Sequence, residues 1–502
     1  MAIFNLLHGY NKSDGTDKLI GAWYGRVITY NPITNHWDRS TTPAFAPGNI
    51  CSATNFLDYM FVIDYRQNFC YDGSTWSSST NLSDSPVAKY IENQGVYLFL
   101  GNIILRGTAY PSRVWISDLP KSSGSITWGL ETGSDLSQLA SSAAITSAGS
   151  LFVTRNIKTG DKLVIENGNN AGDYTVRSVD SETQLTLTQT LSNTVSNSNF
   201  WVGSNWVDVK TNDGDVLTGF GKNSNEVLFF KKNSLHRFNP TSKTLRQVKE
   251  VKGTTSSRSI VNMNEYTYYF YPKVGILRYD GTTSLILSNG IEDLIQGISS
   301  SMYTEVVGWS VDSKLVEFYL GNVMTRDGDS IAYCCATWDT ITETWALRSL
   351  PFGIENKTEW YQDDVPNTYL VTTDGKILKV GDGYTYAGTN IAFSLEDRVI
   401  FPEGSDVIVD FQRLRLFIEN GLDMQVMYKL YYKPTSDPKR WDIDKDWHSL
   451  KGRANGDLVE FVFDDEKQKR ARGIKLKFIQ SSGDESFLIE KYILYYSNPS
   501  IR

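Results

Sequence analysis

The chain has 502 residues, 40% of them apolar and 13% aromatic, and a net charge of −8. That length predicts two to four domains, each able to bury a core, and an ordinary 21% of charged residues excludes a disordered chain. The acidic balance excludes the basic surplus of a general nucleic-acid grip. Four Cys exclude a disulfide framework and predict reduced, buried thiols, and no apolar run approaches the roughly 18 residues of a membrane span.

The start, Met1-Ala2-Ile3-Phe4-Asn5, lacks the basic and long apolar regions of a signal peptide. Residues 1–20 read as a polar arm or a ring-closing strand. From there a phrase recurs: an aromatic residue, a turn, then a second bulky residue. It reads Tyr30-Asn31-Pro32-Ile33-Thr34-Asn35-His36-Trp37, then Phe238 to Leu245, then Trp338 to Trp345, with the bulky pair seven apart each time. Shorter versions are Tyr71-Asp72-Gly73-Ser74-Thr75-Trp76 and Tyr279 to Leu285. Each predicts one β-hairpin, with Asn-Pro or Asp-Gly supplying the turn. Trp37, Leu245 and Trp345 are expected to pack between neighbouring sheets. Tyr30 to Tyr71 and Phe238 to Tyr279 are both 41 residues. Four-stranded sheets repeated at about 40–50 residues are the mark of a β-propeller, here of about six blades and at most seven.

The repeat covers 21–150 and resumes over 204–388. Between them, residues 151–203 carry short period-two strands such as Gly172-Asp173-Tyr174-Thr175-Val176, which predict an inserted small β-barrel. Gly290 to Ile295 is the best short helix. From 389 to 502 the strands lengthen, as in Leu414-Arg415-Leu416-Phe417-Ile418, and their spacing predicts a β-sandwich.

Chemistry-bearing residues are sparse. Of four histidines, His8, His36, His236 and His448, none has a Ser or Cys nucleophile in a recognisable elbow. Asp442-Ile443-Asp444-Lys445-Asp446 opens like a calcium loop, but Trp447 stands where the sixth-position Gly belongs. Asp72 to Trp76 resembles the Asp-box turn of sialidase-type propellers, one residue short. A glycosidase needs two carboxylates about 5–10 Å apart, and spacing alone does not single out a pair. Lys467, Lys469, Arg470, Arg472, Lys475 and Lys477 form the one dense basic run, partly cancelled by Asp464-Asp465-Glu466 and read as a solvated strand edge. Gly219-Phe220-Gly221 lacks the Lys-Ser/Thr of a phosphate loop. No catalytic residue, cofactor or metal is expected.

Tyr110-Pro111-Ser112-Arg113-Val114-Trp115-Ile116-Ser117, with Trp128, resembles a segment of bacteriophage tail propeller proteins. Gly214 to Gly219 followed by Leu228 to Leu235 resembles their next blade, and Gly253 to Ser256 followed by Val274 to Gly281 the one after. The resemblance covers about residues 20–385. It implies a tail nozzle, tail-hub or packaged-DNA-stabilising protein of a tailed phage, made in the host cytoplasm and placed in the virion. It further implies a homo-oligomeric ring, six-fold in many members, beside portal, adaptor or other tail proteins, with DNA passing and no specific binding. Two other readings fit a propeller: a glycan-binding or glycoside-cleaving protein for host attachment, and a kelch-like interaction scaffold. The paired glycines of kelch blades are missing.

Overall fold

The computed structural model of the protein describes residues 4–497 apart from 32–33, 35, 47, 83–84, 122–124, 326–327, 329, 363–364, 381–384, 387–388, 391–392, 397–398, 405–406, 420–423, 435–440, 444–445, 456–457, 464–469 and 481–487. The chain divides into two compact units, residues 1–287 with 355–375, and residues 288–354 with 376–502.

Among the described residues the first unit holds five four-stranded antiparallel blades whose strands lie in chain order across each sheet, and one barrel. Blade 1 is Phe4–Asn11, Asp17–Trp23, Arg26–Asn31 and His36–Ala44; blade 2 is Ser52–Phe56, Tyr59–Ile63, Asn68–Tyr71 and Trp76–Ser77. Blade 3 takes Val87–Gln94, Tyr97–Leu105 and Thr108–Ile116, then completes itself with the distant Trp206–Asp208. Blade 4 is Leu217–Asn223, Glu226–Lys231, Leu235–Asn239 and Thr244–Gln247; blade 5 is Val261–Met263, Tyr266–Tyr271, Gly275–Tyr279 and Ser284–Ile286. First strands of successive blades lie side by side. The strand Ile354–Gln362 comes back to blade 1, where Gly9 N donates to Thr358 Oγ1 at 3.1 Å. A Cβ on Gly9 would stand 2.4 Å from Glu359 O, so only glycine allows that approach.

Pleating explains how one strand serves two cores. Val227, Leu228, Phe229 and Phe230 are all buried. Successive side chains of a strand point to opposite faces. Val227 and Phe229 accordingly join a core with Phe99 and Val114 of blade 3, whereas Leu228 and Phe230 join one with Tyr269 and Leu277 of blade 5. A fully apolar strand is thus the sequence form of a blade packed on both faces.

The barrel is a closed six-stranded sheet formed by Leu130–Gln138, Ala144–Thr146, Lys162–Ile165, Gly172–Ser181, Gln184–Leu187 and Val195–Gly203. Leu136, Phe152, Leu163, Val176, Leu185 and Phe200 fill it. It therefore starts at Leu130, not 151. Residues 4–20 are not an arm: most of them form the first two strands of blade 1, burying Phe4, Leu6, Leu7, Tyr10, Leu19 and Ile20, and residues 1–3 lie outside the described residues.

The second unit holds a sixth four-stranded sheet, Val307–Val311, Leu315–Met324, Ser330–Asp339 and Thr344–Ser349, preceded by the helix Glu292–Gln296. It also holds the C-terminal sandwich. One sandwich sheet is centred on Met424–Pro434 and Gly473–Gln480, the other on Val409–Glu419. Phe411, Leu414, Val426, Phe461, Ile474 and Phe478 fill the space between them. A three-stranded sheet, Ile354–Gln362, Val365–Thr372 and Ile377–Lys379, accompanies the six four-stranded ones among the described residues.

The recurring phrase is a four-residue hairpin loop closed by an Asx turn. Asp72 Oδ1 accepts from Ser74 N and Thr75 N at 2.8 and 2.6 Å. Asp280, Asp339 and Asn239 do the same two and three residues on. The aromatic before the Asx then faces its partner directly across the strands: Tyr30 with Trp37, Tyr71 with Trp76, Phe238 with Leu245, Trp338 with Trp345. Tyr279 departs from the expected pairing. It faces Ser284, and Leu285 pairs with Arg278 and is exposed. Trp37 and Trp345 are half-buried against the aromatic of their own hairpin, with ring centroids 5.3 and 5.1 Å apart. Leu245 does pack between blades 3 and 4.

Candidate functional site

The most elaborate arrangement lies where the barrel leaves and re-enters blade 3. Trp115 and Trp206 are cross-strand partners with rings 5.1 Å apart, and Trp201 meets Trp206 edge-on at 5.6 Å. Trp115 Nε1 donates to Trp128 O at 2.7 Å, and Trp128 Nε1 to Asn81 O at 2.8 Å. Arg113 donates through Nε and Nη2 to the two oxygens of Asp208 at 2.7 and 2.8 Å. Its guanidinium lies over Tyr110 at 4.3 Å and over Trp206 at 4.8 Å. A planar five-donor fork suits that double role, and a lysine does not.

Barrel residues are tied in by a second group. Asp118 accepts from Thr127 Oγ1 at 2.9 Å, Asn205 Nδ2 at 2.8 Å and Lys158 Nζ at 3.4 Å. Asp161 accepts from Ser204 Oγ, and from Lys158 N at 2.9 Å. Burial raises the pKa of its carboxyl. Beside this group a cleft of about 180 Å³ opens between blade 3, the barrel and the Asx hairpin of blade 4. Tyr97, Ile116, Phe238 and Pro240 give it an apolar lining, and Lys158 and Lys243 border it.

A second polar cluster runs along the first strands of the blades. Glu92 and Lys222 form an ion pair at 2.9 Å. Lys222 Nζ also donates to Asn93 Oδ1 at 2.6 Å, and Thr54 Oγ1 to the same oxygen at 3.1 Å. Lys222 N donates to Asn262 Oδ1 at 2.9 Å, and Asn55 Nδ2 to Gly9 O at 2.7 Å. His8 sits beside Asn55; burial above all lowers its pKa to about 4. Lys357 Nζ donates to Ile260 O at 2.8 Å, and burial lowers its pKa to about 8. Side chains and backbone carbonyls take up most of these groups, His8 Nε2 and Asn55 Oδ1 being buried without a hydrogen-bond partner, and the cluster acts as an interior clamp between blades.

The residues singled out in the sequence do not converge. His8 belongs to this clamp, His236 is buried beside Ser234 in blade 4, and His36 and His448 are exposed. Asp72 is engaged in its own turn. Gly219 and Gly221 lie in the first strand of blade 4, close against Ile260. Asp444 and Lys445 lie outside the described residues, as do Asp464, Asp465, Glu466, Lys467 and Lys469. Arg470 is exposed and Arg472, Lys475 and Lys477 are half-buried. All four cysteines are free and buried; burial pushes the Cys70 and Cys335 thiols up to about 12. Among the described residues no group of His, Cys, Asp and Glu could hold a metal ion, and no helix is long and apolar enough to cross a membrane.

Sequence reasoning missed the buried charges. Lys231 is fully buried and donates to Val209 O, Lys210 O and Asp213 Oδ1 at 3.1, 2.9 and 2.6 Å. Buried Glu317 accepts from Trp309 Nε1 at 2.7 Å, Thr337 Oγ1 at 3.0 Å and Arg348 Nη2 at 2.5 Å. Both charges are matched by several partners, which is how a buried charge is tolerated. Nothing in the flanking sequence, Phe229-Phe230-Lys231-Lys232, separates the buried lysine from its neighbour.

The sheets, their strand order and the inter-blade cores define an all-β protein of propeller type, carrying a barrel and a sandwich. No family model matches the chain, and no curated protein does. Solved structures with some likeness include BamB from Moraxella catarrhalis, at 9% identity and a TM-score of 0.33, covering 74% of this chain and 94% of that one. The Cps50 (Swd1) β-propeller domain from Myceliophteria thermophila gives 9% identity and 0.38, over 74% and 96%. YCF48 from Cyanidioschyzon merolae gives 11% and 0.29, over 75% and 95%. The packed sheets of a propeller hold their connecting loops in fixed positions.

Proposed function

We propose that the chain is a structural protein of a tailed-phage virion, assembled as a ring of about six copies at the nozzle or hub of the tail. In that place it conducts the DNA and helps retain it, next to portal, adaptor or other tail proteins, and performs no catalysis. The observation that carries the reading is the insertion joint. The segment from Tyr110 to Trp128, which resembles tail propeller proteins, supplies Arg113, Trp115 and Trp128 to that joint. The residues behind the resemblance are thus those that fasten a barrel into a blade, a more specific task than filling a blade core. The net charge of −8 fits a wall that repels phosphates and lets DNA slide. Light scattering of the purified protein at micromolar concentration tests the assembly. A particle of six times 56.6 kDa is expected. A single chain at every concentration would sink the proposal.

A further inference from the structure

The cleft at the insertion joint and the hairpin tip of the sixth four-stranded sheet carry charges of opposite sign. The cleft is small, lined on one side by Tyr97, Ile116, Phe238 and Pro240 and elsewhere mostly by polar groups, and bordered by Lys158 and Lys243. Its carboxylate, Asp118, is already taken up by Thr127, Asn205 and Lys158. Two lysines stand there against one carboxylate, so Lys243 leaves the rim with a surplus of one positive charge on a chain whose net charge is −8. A pit of that sign fits the prevailing surface of another copy of the same chain.

The tip runs from Asp339 to Thr344. Ile341 at its apex is 70% exposed, with Asp339 and Glu343 two residues to either side. It is held rigidly. Asp339 Oδ1 accepts from Ile341 N at 2.8 Å and Thr342 N at 3.1 Å, and Thr340 donates twice to Lys314 O, at 2.9 Å from N and 2.7 Å from Oγ1. A fixed apolar knob loses little entropy when it docks. Leu139 and Met324 are similarly exposed, at 78% and 63%, but have no carboxylate as an adjacent or next-adjacent residue.

We infer that Ile341 of one copy docks in the joint cleft of the next copy, with its flanking carboxylates meeting Lys158 and Lys243. Knob and pit are different patches, so the contact is head-to-tail, the kind that generates rings when the rotation closes. The inference rests on the ring reading above and names the contact that builds it.

Lys243 and Glu343 allow a clean charge swap. They occupy the same position in two equivalent hairpins and share a φ of 52°. Sedimentation velocity over a micromolar series compares the wild type with Ile341→Asp, Lys243→Glu, Glu343→Lys and the swapped double variant. Ile341→Asp is expected to weaken assembly by about tenfold or more, a change of about 1.4 kcal/mol, with far-UV circular dichroism unchanged. Each single charge reversal weakens it, and the double variant regains most of the loss. A wild-type ring that Ile341→Asp leaves equally tight overturns the docking contact while the ring stands. Assembly that needs Ile341 but closes with another number of copies supports the contact and removes the six-fold reading. A chain that stays single at all concentrations overturns both.

Discussion

Arg113 combines three contacts that a lysine cannot make together: a two-pronged pair with Asp208 and two aromatic faces. Arg113→Lys is expected to destabilise the protein by about 1–2 kcal/mol. It should also speed hydrogen exchange across Trp206–Asp208, the strand that closes blade 3 after the insertion. Unchanged exchange there would mean that Trp115 and Trp206 hold the joint without the guanidinium. Two histidines make acid a second lever. Burial lowers the pKa of His8 and of His236 from 6.5 to about 4; at His236 the charges of Lys231 and Lys210 add to it. The unfolded imidazoles take up protons first, so this stability is complete above pH 6.5 and is lost as the pH falls toward 4. His8 contributes about 3 kcal/mol to that loss, and His236, where solvent screens part of the effect, contributes less. The urea midpoint should fall steeply across this window, and His236→Asn should flatten the fall. A midpoint independent of pH across it would contradict the assignment.

Elements were legible where local chemistry repeats. The Asx residue and the bulky pair at fixed offset mark each hairpin, because turn and cross-strand contact lie within eight residues of chain. Asp72→Ala or Asp280→Ala removes two backbone hydrogen bonds and should cost about 1–2 kcal/mol in a denaturation experiment. Trp345→Ala should cost about 2 kcal/mol, below the range for a fully buried ring, because Trp345 is half-buried. Legibility failed where packing overrides local pattern. The turn around Lys12 to Thr16 is polar and suggested an arm, yet the strands on either side bury their apolar residues. The first barrel strand, Leu130–Gln138, is interrupted by two register shifts, which broke its period-two alternation. That strand also makes the barrel separable: Thr132 faces Trp201 across the sheet. Replacing residues 133–200 with Asn-Gly, a two-residue hairpin turn, should leave a folded protein with its β circular-dichroism signal. Loss of that signal would show that the barrel is needed for blade 3 to form.

At the scale of the whole molecule, the sequence declared the propeller, the insertion and the sandwich. The joint cleft stayed hidden, because residues as distant as Tyr97, Lys158 and Lys243 form it. Charge gives the prediction that belongs to this scale. Six copies would carry roughly six times −8, about −48, and a ring so charged is expected to show no measurable duplex binding at physiological salt. Counterion release makes a phosphate-gripping protein tighten steeply as salt falls. Micromolar binding at physiological salt, weakened by neutralising Lys467, Arg470 and Arg472, would make the C-terminal sandwich a DNA-holding plug instead of a passive neighbour of the strand. The assembly itself is tested most directly by electron micrographs of the purified full-length chain. Class averages viewed end-on should show a six-fold ring with an open centre. Fields of separate single-chain particles would contradict the account.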